Sequence, residues 1–401
     1  MCKAIKWISR AAIILIAVVA IGAATCAALI FFAPKTEEEK VEAQEEVKVE
    51  PKPTAATAKY LFGGTTFWAR RTNTVARASE LGVKYPFSQL DTLERDKYQA
   101  WIVGIECPVT EKGGKHSEYD EWTLLKFNCD PDYLPEASKY FTAALIGNNH
   151  TDNQGAAGFQ ETIQNLKANN IQPFGSYDYK DGENNCDVIT LPMVITMSDN
   201  SEREVEMPFG FCSAHGVFGV PYNAVTNMKK YAEVLPTFSM PHMGAEYKAG
   251  HDEIRQHLYR QMIDSGVEMV LADHPHWVQD TEAYNGKLIV YSMGNFMFDA
   301  ITDKERTLSA AIITDVTVEN VDEIDFDAWA ELGAECKTME RADCLEKIRA
   351  TGLTRPKYSY IYDFEATTSA GNHITRKASD AEKAEVGARL QWSATMQALG
   401  Q

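Results

Sequence analysis

Val267-Glu268-Met269-Val270-Leu271-Ala272-Asp273-His274-Pro275-His276 is the stretch on which the fold turns. The apolar run Val267 to Ala272 reads as a strand buried on both faces. It gives way at once to two imidazoles one residue apart, each offering a metal-ligand nitrogen near neutral pH. A proline-stiffened turn carrying two histidines also fits plain surface. Repetition decides between the two readings.

Other apolar runs end in the same way. Tyr60-Leu61-Phe62 ends in Gly63-Gly64-Thr65-Thr66, and Trp101 to Ile105 ends in Glu106. Phe141 to Ile146 ends in Gly147-Asn148-Asn149-His150-Thr151-Asp152. Phe209 to Cys212 ends near His215, Val234 to Met240 in Pro241-His242, and Leu288 to Tyr291 in Ser292-Met293-Gly294-Asn295. Short apolar runs bounded by Gly, Pro and Asn read as buried strands. Gly155 to Asn169 and His251 to Ser265 place apolar residues three and four apart, so helices alternate with the strands. That pattern predicts an α/β sheet with its chemistry beyond the carboxyl ends of the strands. Glu106, His150, His242, His274 and His276 are therefore expected to converge.

Asn148-Asn149-His150-Thr151, Pro241-His242-Met243-Gly244-Ala245-Glu246-Tyr247, His274-Pro275-His276 and Tyr291-Ser292-Met293-Gly294-Asn295-Phe296 resemble the blocks of the CapA family. These are bacterial capsule, or poly-gamma-glutamate, synthesis proteins with a calcineurin-like metallophosphoesterase fold. Glu106-Cys107-Pro108-Val109-Thr110 is similar to a further block of that family, and all blocks stand in family order between Tyr60 and Asp299. The resemblance implies an α/β, metallophosphoesterase-like layered sandwich with central β-sheets flanked by helices.

The departures are specific. The family's first block usually carries an aspartate, a presumed metal ligand, where this chain has Thr65 in Gly64-Thr65-Thr66-Phe67-Trp68-Ala69-Arg70. A neutral hydroxyl is a poor substitute for a carboxylate on a hard or borderline cation. The acid of the asparagine-histidine block is moved by one position, to Asp152, and Asp273 stands where the family tends to have a small residue or a histidine. Either acid could restore the missing charge.

By analogy with two-metal hydrolases, Glu106 would bridge the ions. Asn149, His242 and His274 would complete one ion's shell, and His276 with Thr65 the other's. His150 would be the general acid. Arg70, Asp152, Glu246, Asp273 and Asn295 would bind substrate or orient ligands. The expected cofactor is a divalent metal of the manganese, iron or zinc class, with one firmly held ion and a second weak or absent. His215 matches no block, and a structural role for it weighs as much as a site role. His116, His251, His257 and His373 read as solvated surface.

The amino terminus carries its own signals. Residues 1–10 hold Lys3, Lys6 and Arg10, and residues 11–33 contain no charge and reach the length of a membrane-spanning helix. The positive-inside rule then predicts a single-pass anchor in the cell membrane, amino terminus cytoplasmic and main domain outside. Residues 34–58 are rich in glutamate, lysine and proline and read as a solvated tether. Residues 59–320 form the main domain. Residues 321–401 form an extension packing on it or extending it, with an acidic helical stretch at 322–350, a strand at 358–366 and a helix at 378–399.

Of eight cysteines, Cys336 and Cys344 form the most plausible disulfide, and Cys107 beside Glu106 is either a packed thiol or a ligand. No Cys-x-x-Cys spacing supports a zinc cluster. The net charge of −18, with a pI near 5.0, argues against nucleic acid. The expected partners are an anionic envelope polymer or its precursor and a membrane polymer synthase. Two roles follow: a metal-dependent phosphoesterase-type hydrolase of capsule biosynthesis, or a non-catalytic protein that binds the polymer in the same pocket.

Overall fold

β1 (Pro53–Thr66) changes partners along its length, and that exchange builds the fold. A computed structural model describes residues 50–111 and 121–401, and everything below concerns the unit Pro51–Gln401. On one edge of β1 lie β2 (Ala100–Ile105), β3 (Ala143–Leu145) and β4 (Gln172–Phe174), all parallel to it. The first residues of β1 instead pair on that same edge with β5 (Cys186–Met197), which runs antiparallel and leads into β6 (Glu202–His215). Beyond β6 come β7 (Thr237–His242), β8 (Met269–Leu271), the antiparallel edge strand β9 (Thr281–Tyr284) and β10 (Lys287–Val290), in the spatial order β6-β7-β8-β10-β9. The opposite edge of β1 pairs with β11 (Asn295–Met297) and with β12 (Leu308–Val318). β13 (Tyr358–Thr368) and the two-residue β14 (Arg376–Lys377) follow beyond β12.

β1 thus splits the sheet into two branches that face one another. Ile102, Leu145 and Phe174 of the first branch share a buried cluster with Phe209, Phe211, Phe238, Met240 and Leu271 of the second. Phe174 and Phe211 meet at 5.1 Å between centroids, and Phe62 stacks on Phe211 at 6.5 Å. The outer faces are covered by helices. Trp101, Val103 and Ile105 pack with Phe159 and Leu166 of the helix Gly155–Ala168. Cys212, Val270 and Ile289 pack with Met228 and Tyr231 of Ala224–Ala232 and with Leu258 and Met262 of Glu253–Asp264. The last helix begins where Asp252 accepts a hydrogen bond from the Arg255 amide at 2.9 Å, a cap that satisfies one of its unpaired donors.

Because β6, β7, β8 and β10 run in the same sense as β1, β2 and β3, all their carboxyl ends open at one mouth. This is the mixed α/β arrangement expected from the alternating runs. The hairpin β5–β6 was not legible in sequence: its first half, Glu202 to Glu206, is too charged to resemble a buried strand.

Several expectations need correction. Residues 53–58 belong to β1, because Ala56 and Ala58 face the inter-branch core; the tether reading of 34–58 fails there. The single helix expected over 378–399 is two, Asp380–Leu390 and Trp392–Leu399, broken where Gln391 turns left-handed at φ 53°. The acidic stretch is likewise two helices, Phe326–Cys336 and Arg341–Thr351, tied by the Cys336–Cys344 disulfide. The carboxy-terminal extension continues the main sheet, since β13 pairs with β12 along its whole length.

The membrane placement is also corrected. Among the described residues no helix is long and apolar enough to cross a membrane. Residues 11–33, on which the single-pass anchor rests, lie outside the described residues, as do 34–49 of the tether and His116. The anchor and the localisation built on it have no structural support. Of the histidines expected at the surface, His257 is exposed, His251 is half-buried and bonded to Asp280, and His373 is buried.

Candidate metal centre

Strand alternation brings the site residues to the mouth. On β7, Phe238 and Met240 face the inter-branch core, so His242 follows on the same face two residues later. By the same count β2 delivers Gly104 and Glu106 after Ala100 and Ile102, and β8 delivers Asp273 after Met269 and Leu271. β1 would miss the register, but a bulge between Phe62 and Thr65 inserts one residue. Phe62 pairs with Ile102 and Thr65 with Gly104, so Thr65 also faces inward.

The convergence is tight around one atom. His242 Nε2 lies 2.9 Å from Asn149 Oδ1, 3.1 Å from His274 Nδ1 and 3.3 Å from Glu106 Oε1. Glu106, His242 and His274 each offer a ligand atom within 4.8 Å of the others, and all three are buried. On the far side of the ring, His242 Nδ1 donates to Asp273 Oδ1 at 2.6 Å. The second oxygen of Asp273 accepts from the Thr65 hydroxyl at 3.4 Å. Gly104 makes this possible, because a Cβ there would stand 2.5 Å from Asp273 Oδ2. Asp273, which follows β8, thus places a carboxylate against both Thr65 and His242.

The donor set fits a divalent cation. Three lone-pair atoms surround His242 Nε2, and the single proton that nitrogen can carry cannot satisfy them all. Ligands of a tetrahedral ion lie roughly 3–3.5 Å apart, close to the spacings found. Glu106 Oε2 is buried with no hydrogen-bond partner, a costly arrangement unless a positive group meets it. Nδ1–H bonded to a carboxylate, with Nε2 directed at the cluster, is the arrangement that orients a metal-ligating histidine.

The electrostatics are those of the cluster with no cation in it. Burial would push the Glu106 carboxyl up, but His276, His242 and His150 together hold it well below the usual carboxylate range. Burial pulls the His242 imidazole down, yet Asp273 and Glu106 outweigh it and raise it to about 10. His274 is pushed down to about 2 by burial and by neighbouring His242, so its ring stays neutral. Glu106 is thus an ionised carboxylate and His274 a neutral imidazole, while His242 is charged and would give up its Nε2 proton to a cation. His274 and His276 hold positive φ values of 92° and 60°, rarely populated by residues with a Cβ, and such strain concentrates at functional sites.

The remaining expected residues fall around this point. His276 stands one ring away, 6.0 Å from His274 between centroids, with Nδ1 bonded to Asn295 Oδ1 at 2.8 Å. Asn295 also donates to the Arg306 carbonyl, so its amide bridges His276 and that loop. The Thr65 hydroxyl bonds to Asp273, and the His276 ring to Asn295. Among the described residues no second cluster of three such groups occurs.

His150 lies over Phe127 at 4.2 Å between centroids, its Nδ1 held by Asn153 Oδ1 at 3.1 Å. Burial lowers its pKa, although Glu106 opposes the shift. His150, His276 and Glu106 line a cleft of about 220 Å³ with Arg70, Arg71, Trp122, Glu246, Tyr247, Asp299 and Arg306. Arg70 is bonded to Asp299 at 2.8 Å and boxed by Phe67, Trp122, Phe127 and Phe298. Burial raises the pKa of Asp152, the other acid considered for the charge missing at Thr65, and neighbouring His150 opposes the shift. Cys107 is bonded to Cys129, so it is not a thiol ligand.

Sequence reasoning missed Asp299, Arg306 and Trp122, which no periodicity marks. It left His215 undecided. That ring is buried, donates from Nδ1 to the Tyr177 carbonyl at 2.6 Å, and is pushed down to about 4 by burial.

The chain is similar in sequence to known proteins. The family described as Bacterial capsule synthesis protein PGA_cap matches residues 59–201 and 222–300, more than half of the chain. PGA biosynthesis protein CapA of Bacillus subtilis (strain 168) is 28% identical over 168 residues, covering 40% of this chain and 43% of that protein. Capsule biosynthesis protein CapA of Bacillus anthracis is 27% identical over 167 residues, covering 40% of each. The chain spans less than half the length of these curated relatives. The crystal structure of TT1561 of Thermus thermophilus overlaps 63% of this chain and 92% of that one, at 11% identity and a TM-score of 0.30, too distant to carry an argument.

Proposed function

The chain belongs to the bacterial capsule synthesis protein family, and from that premise we propose that it is a metal-dependent, phosphoesterase-type hydrolase acting on an anionic envelope polymer or its precursor. One observation carries the reading: Glu106, His242 and His274 offer three ligand atoms within 4.8 Å at the mouth of the sheet. Asn149 adds its amide oxygen at 2.9 Å from His242 Nε2. When bound, a divalent cation supplies Lewis acidity and lowers the pKa of a coordinated water.

The chain's own residues do the rest. Asp273 holds the Nδ1 proton of His242 and thereby aims Nε2 at the cluster. Arg70, fixed by Asp299 and four aromatic rings, is a rigid cation at the wall of the cleft and suits a phosphate or carboxylate oxygen. His150 keeps its Nδ1 proton on Asn153, which leaves Nε2 for the substrate. An anionic group in the cleft raises the His150 pKa by Coulomb attraction. The protonated ring can then donate to the leaving oxygen.

The overall charge of −18 opposes an anionic polymer, but screening confines that field to roughly 8–10 Å at physiological ionic strength. Arg70, Arg71 and Arg306 therefore govern the approach locally.

A second reading has its own support: Thr65 in the first strand is neutral, which favours a protein that binds the polymer in this pocket without cleaving it. The test is hydrolysis of a generic phosphomonoester and phosphodiester by the full chain with manganese, zinc or iron. Turnover that vanishes in His242→Ala and His274→Ala supports the hydrolase. A folded protein inert with every metal, yet retaining an anionic polymer, favours binding.

A further inference from the structure

We propose that His215 is a further member of this centre, accepting through Nε2 a hydrogen bond from a water or hydroxyl carried by the cation that Glu106, His242 and His274 would hold. The proposal rests on the metal reading above, and it assigns a residue that lies between the two segments matched to the family.

Strand geometry puts His215 in place. β6 and β7 are parallel neighbours, and His215 is the register partner of His242. Phe209 and Phe211 face the inter-branch core, so His215, four residues beyond Phe211, leaves β6 on that same face. It therefore flanks His242 on the side away from β8, whereas His274 and His276 flank it on the other.

The tautomer follows from its partner. A backbone carbonyl can only accept, so Nδ1 must carry the proton in the 2.6 Å contact with Tyr177. In a neutral ring Nε2 then bears a lone pair. That atom is buried and has no hydrogen-bond partner. Leaving a buried acceptor unmet is costly, and native structures rarely carry that penalty without use. Nδ1–H on an acceptor is also how His242 is held, so two adjacent strands present imidazoles oriented by the same ring nitrogen. Tyr179 and Phe218 wall the ring at 6.3 and 5.3 Å between centroids, which limits how far it can turn. His215 is not among the groups within 4.8 Å of each other, so its place is beside the cation's ligands and not among them.

The test is a zinc titration of the full chain labelled with 15N-histidine, followed by long-range nitrogen–proton NMR and by zinc affinity. The expected result is a protonated Nδ1 throughout and a displacement of the His215 Nε2 resonance as zinc reaches one equivalent. His215→Phe should weaken zinc about tenfold, the lower end of what losing an outer partner costs, and His215→Gln should recover most of that loss. If zinc binds and His274→Ala weakens it, yet the His215 resonance stays still and His215→Phe binds as the unaltered protein does, His215 is structural and the proposal falls. If His274→Ala has no effect on zinc, the metal reading itself fails and takes the proposal with it. Should His215→Phe not fold, the titration of the unaltered chain still decides.

Discussion

The same strands that build the apolar interior between the two branches also build the centre at its mouth, two to four residues further along. Inside, Phe62, Ile102, Phe211, Phe238 and Leu271 interlock as a dry core. At the mouth, further along these strands, the inward residues include Thr65, Glu106, His242 and Asp273, every one of them polar and buried. Backbone, face and register are shared; only side-chain chemistry changes. The interior is held by area removed from water, which is non-directional. The mouth stays buried only because each charge has a partner, as between His242 and Asp273. Rigidity made in the first region fixes distances in the second.

The comparison predicts that damage to the two regions separates by readout. The largest effect belongs to His242→Ala, which strikes both. It strands the buried Asp273 carboxylate, at a cost of about 3–5 kcal/mol in stability, and it should abolish cation binding; denaturant melts and calorimetric titration check the two halves. Phe211→Ala should cost a similar 3–5 kcal/mol, while the protein that remains folded binds the cation nearly as before. If its affinity collapses along with its stability, the two regions are not separable.

Acid should reach the mouth before the interior. His215 is held at about 4 by burial, below the ordinary histidine value of 6.5. Between those values the unfolded chain binds a proton that the folded one refuses. Its contribution is therefore present above about pH 6.5 and lost as pH falls toward 4, by roughly 3 kcal/mol. Urea midpoints measured across that window should fall, and His215→Phe should flatten the slope. The smallest effect is Asp273→Asn. It keeps the shape but loses the charge that orients His242, and should weaken the cation 10–100-fold with little change in melting.

Much of this was legible in the chain because alternation is a local property. The apolar runs marked β1, β2, β7 and β8, and a metal-ligand residue at the end of several of them gave Glu106, His242 and His274 without knowledge of pairing. Asn149 and His150 came from their block, and Asn295 from its turn. What could not be read depends on pairing between distant segments. The bulge that turns Thr65 inward exists only against β2. That Asp273 reaches both His242 and Thr65 depends on which segment packs over Gly104. The Arg70–Asp299 pair joins residues 229 apart in sequence. The hairpin β5–β6 escaped because its outer half is charged, although Val205 and Met207 alternate correctly. The Cys107–Cys129 and Cys186–Cys212 bridges were open to sequence only as an even count.

The most direct measurement is the anomalous-scattering map of crystals of the protein soaked in manganese or zinc. The account predicts a peak enclosed by the Glu106 carboxylate, the Asn149 amide oxygen and the imidazoles of His242 and His274, with Asp273 still bonded to His242 from behind. A peak that touches none of these side chains, or a structure in which the carboxylate and the two rings turn to separate places, would contradict it.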